Sequence, residues 1–136
     1  MRFRSTRPEA DVAAPEPALP ESMRATVLDS PGGPEALHSA RVPVPVPILS
    51  EVLVRVVAAG VNPIDAKTRA GRGACDAITA WPATLGYDFS GVVVATPYES
   101  HPFPPGTEVF GMTPTPRTPG TYAEYAVVPS CLLYTS

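Results

Sequence analysis

Four side chains able to hydrogen-bond a ligand stand within eight consecutive residues: Asn62, Asp65, Lys67 and Arg69. An amide, a carboxylate and two cations supply donors and acceptors of both charges. They lie where a strand pattern gives way to a short helix, an abrupt turn that puts Asn62 at the lip of a sheet, where ligand sites often form. The same residues are also what a well-capped helix needs. Asn62 fits the N-cap, Pro63 the first helical position and Asp65 the third, a variant of the capping box. Gly71 follows as a C′ stop. On local pattern alone the structural role outweighs the binding one.

Other reactive types are sparse. Cys75 and Cys131 are the only cysteines. Far apart, they match neither a disulfide framework nor a zinc pair and read as reduced intracellular thiols. His38 and His101 are isolated and read as surface residues. Phe110 and Met112 are expected in the core, and Tyr122 and Tyr125 in core or inter-domain packing.

The elements that must hold these residues follow from periodicity. Arg24 to Leu28 and Leu37 to Val42 read as strands, separated by the Ser30-Pro31-Gly32-Gly33-Pro34 turn. The Pro43-Val44-Pro45-Val46-Pro47 run cannot pair inside a sheet and is expected at an edge or as an extended spacer. Val52, Val54 and Val56 alternate with Leu53, Arg55 and Val57 in a strand from Glu51 to Ala59. The capped helix spans Pro63 to Ala70, and residues 72 to 84 read as an irregular loop. Phe89 to Ala95 is a buried strand in which Gly91 marks a bulge or close backbone approach. Strands over Thr107–Met112 and Tyr122–Val128 flank a Pro-rich loop from Pro114 to Pro119. Short strands, Gly and Pro turns and one short helix give a mainly β fold, a small and partly open barrel.

Composition narrows the function. The 136 residues make room for one domain with a core. Net charge is −3, and the ten Lys and Arg are scattered without a basic stripe, so no nucleic-acid partner is expected. Apolar runs are short and broken, so no membrane span is expected either. Residues 1–22, rich in Pro, Ala and Glu, read as a disordered tail. Arg2, Arg4 and Arg7 with Ser5 and Thr6 faintly resemble a transit peptide, but Glu9, Asp11, Glu16 and Glu21 spoil the acidic-poor pattern such peptides need. The location expected is cytoplasmic.

Six blocks in order between residues 23 and 125 resemble one family. They are Met23–Leu28 with Pro31–Leu37, Glu51–Val56, Gly60–Gly71, Leu85–Val93, Gly106–Gly111 and Gly120–Tyr125. Together they resemble the GroES-like N-terminal domain of quinone-oxidoreductase-like members of the medium-chain dehydrogenase/reductase superfamily. The resemblance implies a GroES-like domain over residues 23–133, with 134–136 as a truncated end. Residues 94–101 depart from the pattern, so altered loop geometry is expected there.

Zinc-dependent relatives carry Cys at the position of Asn62 and His-Glu at Tyr87-Asp88. An amide and a phenol are poor replacements for thiolate and imidazole. The resemblance therefore implies the zinc-independent branch, with no metal ligands. It implies NADPH as cofactor, delivering hydride to a quinone or activated C=C substrate. Asn62, Lys67 and Tyr87 become the catalytic candidates, and Asn62, Asp65, Lys67 and Arg69 the cofactor-binding ones. Lys67 stands where several relatives carry Tyr and would steady an enolate-like oxygen or cofactor phosphate; its alternative is a solvated helix face. For Tyr87 the alternative is a buried ring with a backbone-bonded hydroxyl.

No glycine-rich βαβ turn is present, so the Rossmann half expected of such enzymes is absent from this sequence. The chain is then expected to be inactive alone, unless a second chain supplies that half. Two other readings stand beside it: a non-enzymatic GroES-like module that associates with another chain, or part of a trans-acting polyketide enoyl reductase.

Overall fold

The computed structural model describes residues 18–114 and 119–135. The expected tail falls mostly on residues 1–17, and the tip of the Pro114–Pro119 loop on 115–118; both lie outside the described residues. Among the described residues the architecture is mainly β, in two antiparallel sheets with one α-helix. The strands are β1 (Ser22–Leu28), β2 (Leu37–Pro43), β3 (Glu51–Ala59), β4 (Ala83–Thr84), β5 (Asp88–Ala95), β6 (Glu108–Met112), β7 (Tyr125–Pro129) and β8 (Leu133–Thr135), and the helix is α1 (Pro63–Arg69). One sheet has the order β2-β1-β4 and the other β7-β3-β5-β6-β8, so the barrel is partly open, as expected.

Alternation sets which side chains enter the core. Val52 and Val54 of β3 meet Phe89 and Val93 of β5, Val109 of β6, Val128 of β7 and Leu133 of β8. Leu53 is also buried, so the first half of β3 is covered on both faces. Arg55 beyond it is exposed. Val56 of β3 pairs with Gly91 and Ala58 with Ser90, leaving Val57 bulged. The Arg55 carbonyl occupies the space a side chain at Gly91 would need, which is the close approach the sequence marked.

Two core expectations fail for one physical reason. In β6 the burial alternates, with Val109 and Gly111 inward, so Phe110 and Met112 face outward, 46% and 52% exposed. Phe110 stacks on Tyr134 of β8 with ring centroids 5.5 Å apart. That strand pairs with β6 through Leu133 and Tyr134 and was not foreseen.

His101 reverses the surface expectation: it is 5% exposed. Its Nδ1 accepts the Phe103 N–H at 2.9 Å, and its Nε2 lies 2.7 Å from Ser130 Oγ. The Ser130 hydroxyl donates to the Ser50 carbonyl at 2.5 Å, so Nε2 carries the proton and donates to Ser130. The His101 ring lies within 5.3 Å of the Tyr98 ring and 5.9 Å of the Phe103 ring, centroid to centroid.

A second unforeseen strand, β4, adds to β1 through Val27↔Thr84 and Leu28↔Ala83. The segment 120–124 then runs between β1 and residues 84–86. Gly120 N–H donates to Thr84 O at 2.9 Å, Tyr122 N–H to Leu85 O at 3.0 Å, and Thr26 N–H to Tyr122 O at 2.8 Å. The same segment links the two sheets, since Glu124 N–H donates to Arg24 O of β1 at 3.1 Å and Val56 N–H of β3 donates to Glu124 O at 2.8 Å.

Candidate functional site

The strand-to-helix junction forms as its residues dictate. Asn62 has extended backbone, φ −121° and ψ 159°, at the N-cap of α1, with Pro63 opening the helix and Asp65 completing the capping box. Its well-formed half belongs to Asp65: Oδ2 accepts the Asn62 N–H at 2.9 Å. The helix ends at Arg69, one residue earlier than expected, and Gly71 turns away with φ +95°.

Asp65 does more than cap. It is 4% exposed, and its Oδ1 accepts the Gly86 N–H at 3.2 Å. One buried carboxylate thus ties α1 to the loop before β5. Gly86 sits at φ +103°, a conformation costly for other residues, and any side chain there would collide with Thr121. Its neighbour Tyr87 is half-buried, and the Tyr87 carbonyl accepts the Thr113 N–H at 2.7 Å. Burial first, and then the charge of Asp65, raise the Tyr87 hydroxyl above its ordinary pKa of 10.0.

Asp88, at the start of β5, makes the matching tie. Its Oδ1 accepts the Gly60 N–H at 2.7 Å, and its Oδ2 accepts from Asn62 Nδ2 at 3.0 Å. Asn62, Asp65, Tyr87 and Asp88 are therefore brought to one place by two chain segments. Tyr122 completes the cluster: it lines a cavity of about 280 Å³ with Asp65, Val61, Arg69 and Leu85. Its buried hydroxyl has no hydrogen-bond partner among the described residues. Burial, followed by the nearby charge of Asp65, pushes that hydroxyl well above its ordinary range. The carboxylate is near enough to hold the proton on, though short of hydrogen-bond geometry.

Two sequence candidates make no hydrogen bond to this cluster among the described residues, although Arg69 lines its cavity. Lys67 is exposed on α1. Arg69 donates from Nη1 to the Gly32 carbonyl at 2.7 Å, while Gly32 N–H donates to the Arg69 carbonyl at 2.8 Å, so this side chain braces the turn after β1. Asp88 and Tyr122 were not foreseen as site residues. The sequence held a signal for the first, since Asp88 occupies the position of the Glu in zinc-holding relatives.

The donors do not suit a catalytic zinc. The Asn62 amide and the Asp88 carboxylate bond each other, Asp65 is occupied by two backbone N–H groups, and the remaining candidate is a phenol. Among the described residues no group of three or more His, Cys, Asp or Glu is placed to hold a metal ion. No helix among them is long and apolar enough to cross a membrane.

Residues 49–135 match the family described as the alcohol dehydrogenase GroES-like domain. A trans-enoyl reductase of Cordyceps fumosorosea is 34% identical over 129 residues, covering 86% of this chain and 30% of that protein. An NADPH-dependent alkenal/one oxidoreductase, chloroplastic, of Arabidopsis thaliana is 35% identical over 123 residues, covering 85% and 31%. Among solved structures, the quinone oxidoreductase from Coxiella burnetii superposes with a TM-score of 0.78 at 34% identity, over 84% of this chain and 37% of that one. The chain thus spans about a third of the length of the relatives it matches. By its matched residues and its fold, the chain belongs to the alcohol dehydrogenase GroES-like domain family of the medium-chain dehydrogenase/reductase superfamily, on its quinone-oxidoreductase-like side.

Proposed function

We propose that residues 23–133 form the substrate-side half of an NADPH-dependent, zinc-independent reductase acting on quinones or activated C=C bonds. The observation that carries this reading is the Asn62–Asp88 pair, 3.0 Å apart, where zinc-holding relatives have thiolate and imidazole-carboxylate ligands. Bound NADPH would supply the hydride. The chain's own residues would orient and polarise. Asn62 would face the nicotinamide, and the Lys67 ammonium on the exposed side of α1 would meet either phosphate or the oxygen that gains charge during reduction. Tyr87, held protonated by burial and by Asp65, would act as a hydroxyl donor rather than a base. Arg69 would have to release Gly32 to reach a phosphate, so its part is the smaller one.

The residues described here fit the nicotinamide end of such a cofactor and not the whole. Asn62 offers an amide beside Val61, which is 79% exposed. No glycine-rich βαβ turn that would cradle a pyrophosphate occurs in the sequence. Activity then requires a dinucleotide-binding body beyond these 136 residues, in the same polypeptide or in a second chain. Free Cys75 and Cys131 support a cytoplasmic setting.

The test is a pair of assays. The 136-residue chain should neither deplete NADPH with a simple quinone nor with an enone. Joined to the dinucleotide-binding portion of the Coxiella burnetii quinone oxidoreductase, it should do so. A chimera that binds NADPH and reduces neither substrate would overturn the reading.

A further inference from the structure

We propose that Asp88 is the positioning residue of this site, fixing the Asn62 amide so that one N–H is presented as a rigid donor to a carbonyl oxygen of the ligand. The inference rests on the nicotinamide-facing role proposed for Asn62 and deepens it. An amide can turn by a half-rotation and exchange its donor and acceptor ends at almost no cost, so an unrestrained Asn offers a ligand both. Here the choice is made by chemistry. An ionised carboxylate only accepts, so the end of Asn62 within 3.0 Å of Asp88 Oδ2 is Nδ2. Oδ1 is then the end left on the helix side, where the Asp65 N–H donates to the Asn62 main-chain carbonyl at 2.9 Å. Of the two hydrogens on Nδ2, Asp88 takes one. The second has no bond among the described residues, and Asn62 is half-buried at the lip of the sheet.

Asp88 is itself held against turning. Its other oxygen accepts the Gly60 N–H at 2.7 Å, and the absence of a side chain at Gly60 leaves the room its carboxylate occupies. Gly60, Asn62 and Asp88 therefore act as one unit: the glycine admits the carboxylate, the carboxylate orders the amide, and the amide is left with one direction in which to donate. A donor fixed before the ligand arrives needs no reorganisation as charge develops on the oxygen it meets, and it discriminates against ligands that place a donor there.

The test reads the amide directly and uses no nicotinamide, so its failure is distinguishable from failure of the proposed activity. In the ¹⁵N-labelled 136-residue chain, the two Nδ2 protons of Asn62 should be strongly inequivalent, one of them shifted downfield and protected from exchange. A scalar coupling across the hydrogen bond, from Asn62 Nδ2 to the Asp88 carboxylate carbon, should be detectable in the unsubstituted chain. Asp88→Asn keeps an acceptor for Gly60 N–H but turns a donor toward Asn62. It should leave the thermal unfolding temperature close to that of the parent while abolishing the coupling and the protection. A parent spectrum without the coupling, or an Asn62 signature that survives unchanged in Asp88→Asn, overturns the proposal.

Discussion

The carboxylate of Asp88 lies in the space that a side chain at Gly60 would fill, and the Gly60 N–H donates into it at 2.7 Å. A sequence separation of 28 residues is closed by one short bond. Gly60→Ala must therefore push Asp88 aside or shift β3. We expect a loss of about 1–3 kcal/mol in chemical denaturation, in the range for a buried polar contact broken by overpacking. An unaltered denaturation midpoint would show that the space is not shared.

Removing the Asp65 carboxylate should be among the more damaging changes near the site. Asp65→Ala strips the acceptor from both Asn62 N–H and Gly86 N–H. Removing the acceptor of a buried hydrogen bond costs about 1–3 kcal/mol; with the Gly86 bond buried and the Asn62 bond part-buried, a loss of roughly 2–4 kcal/mol is expected. Urea unfolding measures it, and a loss comparable to an exposed-site substitution would refute the bridging role.

The Tyr122 hydroxyl makes a prediction at alkaline pH. Its pKa is raised in the folded chain, by burial first and by Asp65 next, above an ordinary 10.0. The folded state therefore holds this proton more tightly than the unfolded state. The associated stability is fully present below about pH 10 and declines as pH rises from there through the folded pKa. Tyr122→Phe should be neutral or mildly stabilising at pH 7, since it deletes a buried hydroxyl that has no hydrogen-bond partner among the described residues. It should also unfold less steeply with alkali. Parallel alkaline decline in both proteins would remove Tyr122 as its cause.

At the surface, His38 Nε2 lies 2.9 Å from Asp29 Oδ2. Asp29, followed by the Ser39 carbonyl, raises the imidazole above its ordinary 6.5. A raised folded value means stability present below pH 6.5 and lost as pH climbs through the folded midpoint. The pair is open to water, so the effect on stability should be slight. The titration itself is the better readout: the His38 ring resonance should move with a midpoint above 6.5, and Asp29→Asn should lower it. A midpoint indifferent to Asp29→Asn would mean that the pair does not persist in solution.

Metal content offers a direct check on the site chemistry. Protein purified with zinc in the medium should carry no stoichiometric zinc by elemental analysis. One zinc per chain would overturn the replacement of ligands by a hydrogen-bonded amide.

Local pattern made much of this fold legible. The alternation of Val52, Val54 and Val56 gave β3 its limits, and Asn62-Pro63 with Asp65 gave the start of α1. What escaped was tertiary. A two-residue strand such as Ala83–Thr84 has no period to detect, and it exists because β1 offers it an edge. Phe110 and Met112 are apolar in type, yet the phase of β6 is fixed by Val109 reaching the core, a relation no single strand reveals. His101 looks like a loop residue until Ser130, from 29 positions away, closes over it. At the site, Asn62 and Asp65 were legible because their bond is local. The link from Asn62 to Asp88 was not, because resemblance marks a position and not the bond made there.

The paired carboxylates have a consequence for motion. Asn62 N–H and Gly86 N–H are bound to the two oxygens of Asp65, and Gly60 N–H to Asp88, which also holds Asn62. The Gly60 and Gly86 N–H bonds cross between the two segments, and the Asn62 N–H is bonded to a carboxylate that the loop before β5 also holds. Their exchange with deuterium should therefore proceed through one shared opening, with similar free energies across residues 60, 62 and 86. The strand-to-helix turn, the loop before β5 and the first residue of β5 thus form a single cooperative unit of breathing, and the lip of the sheet opens as a whole or not at all.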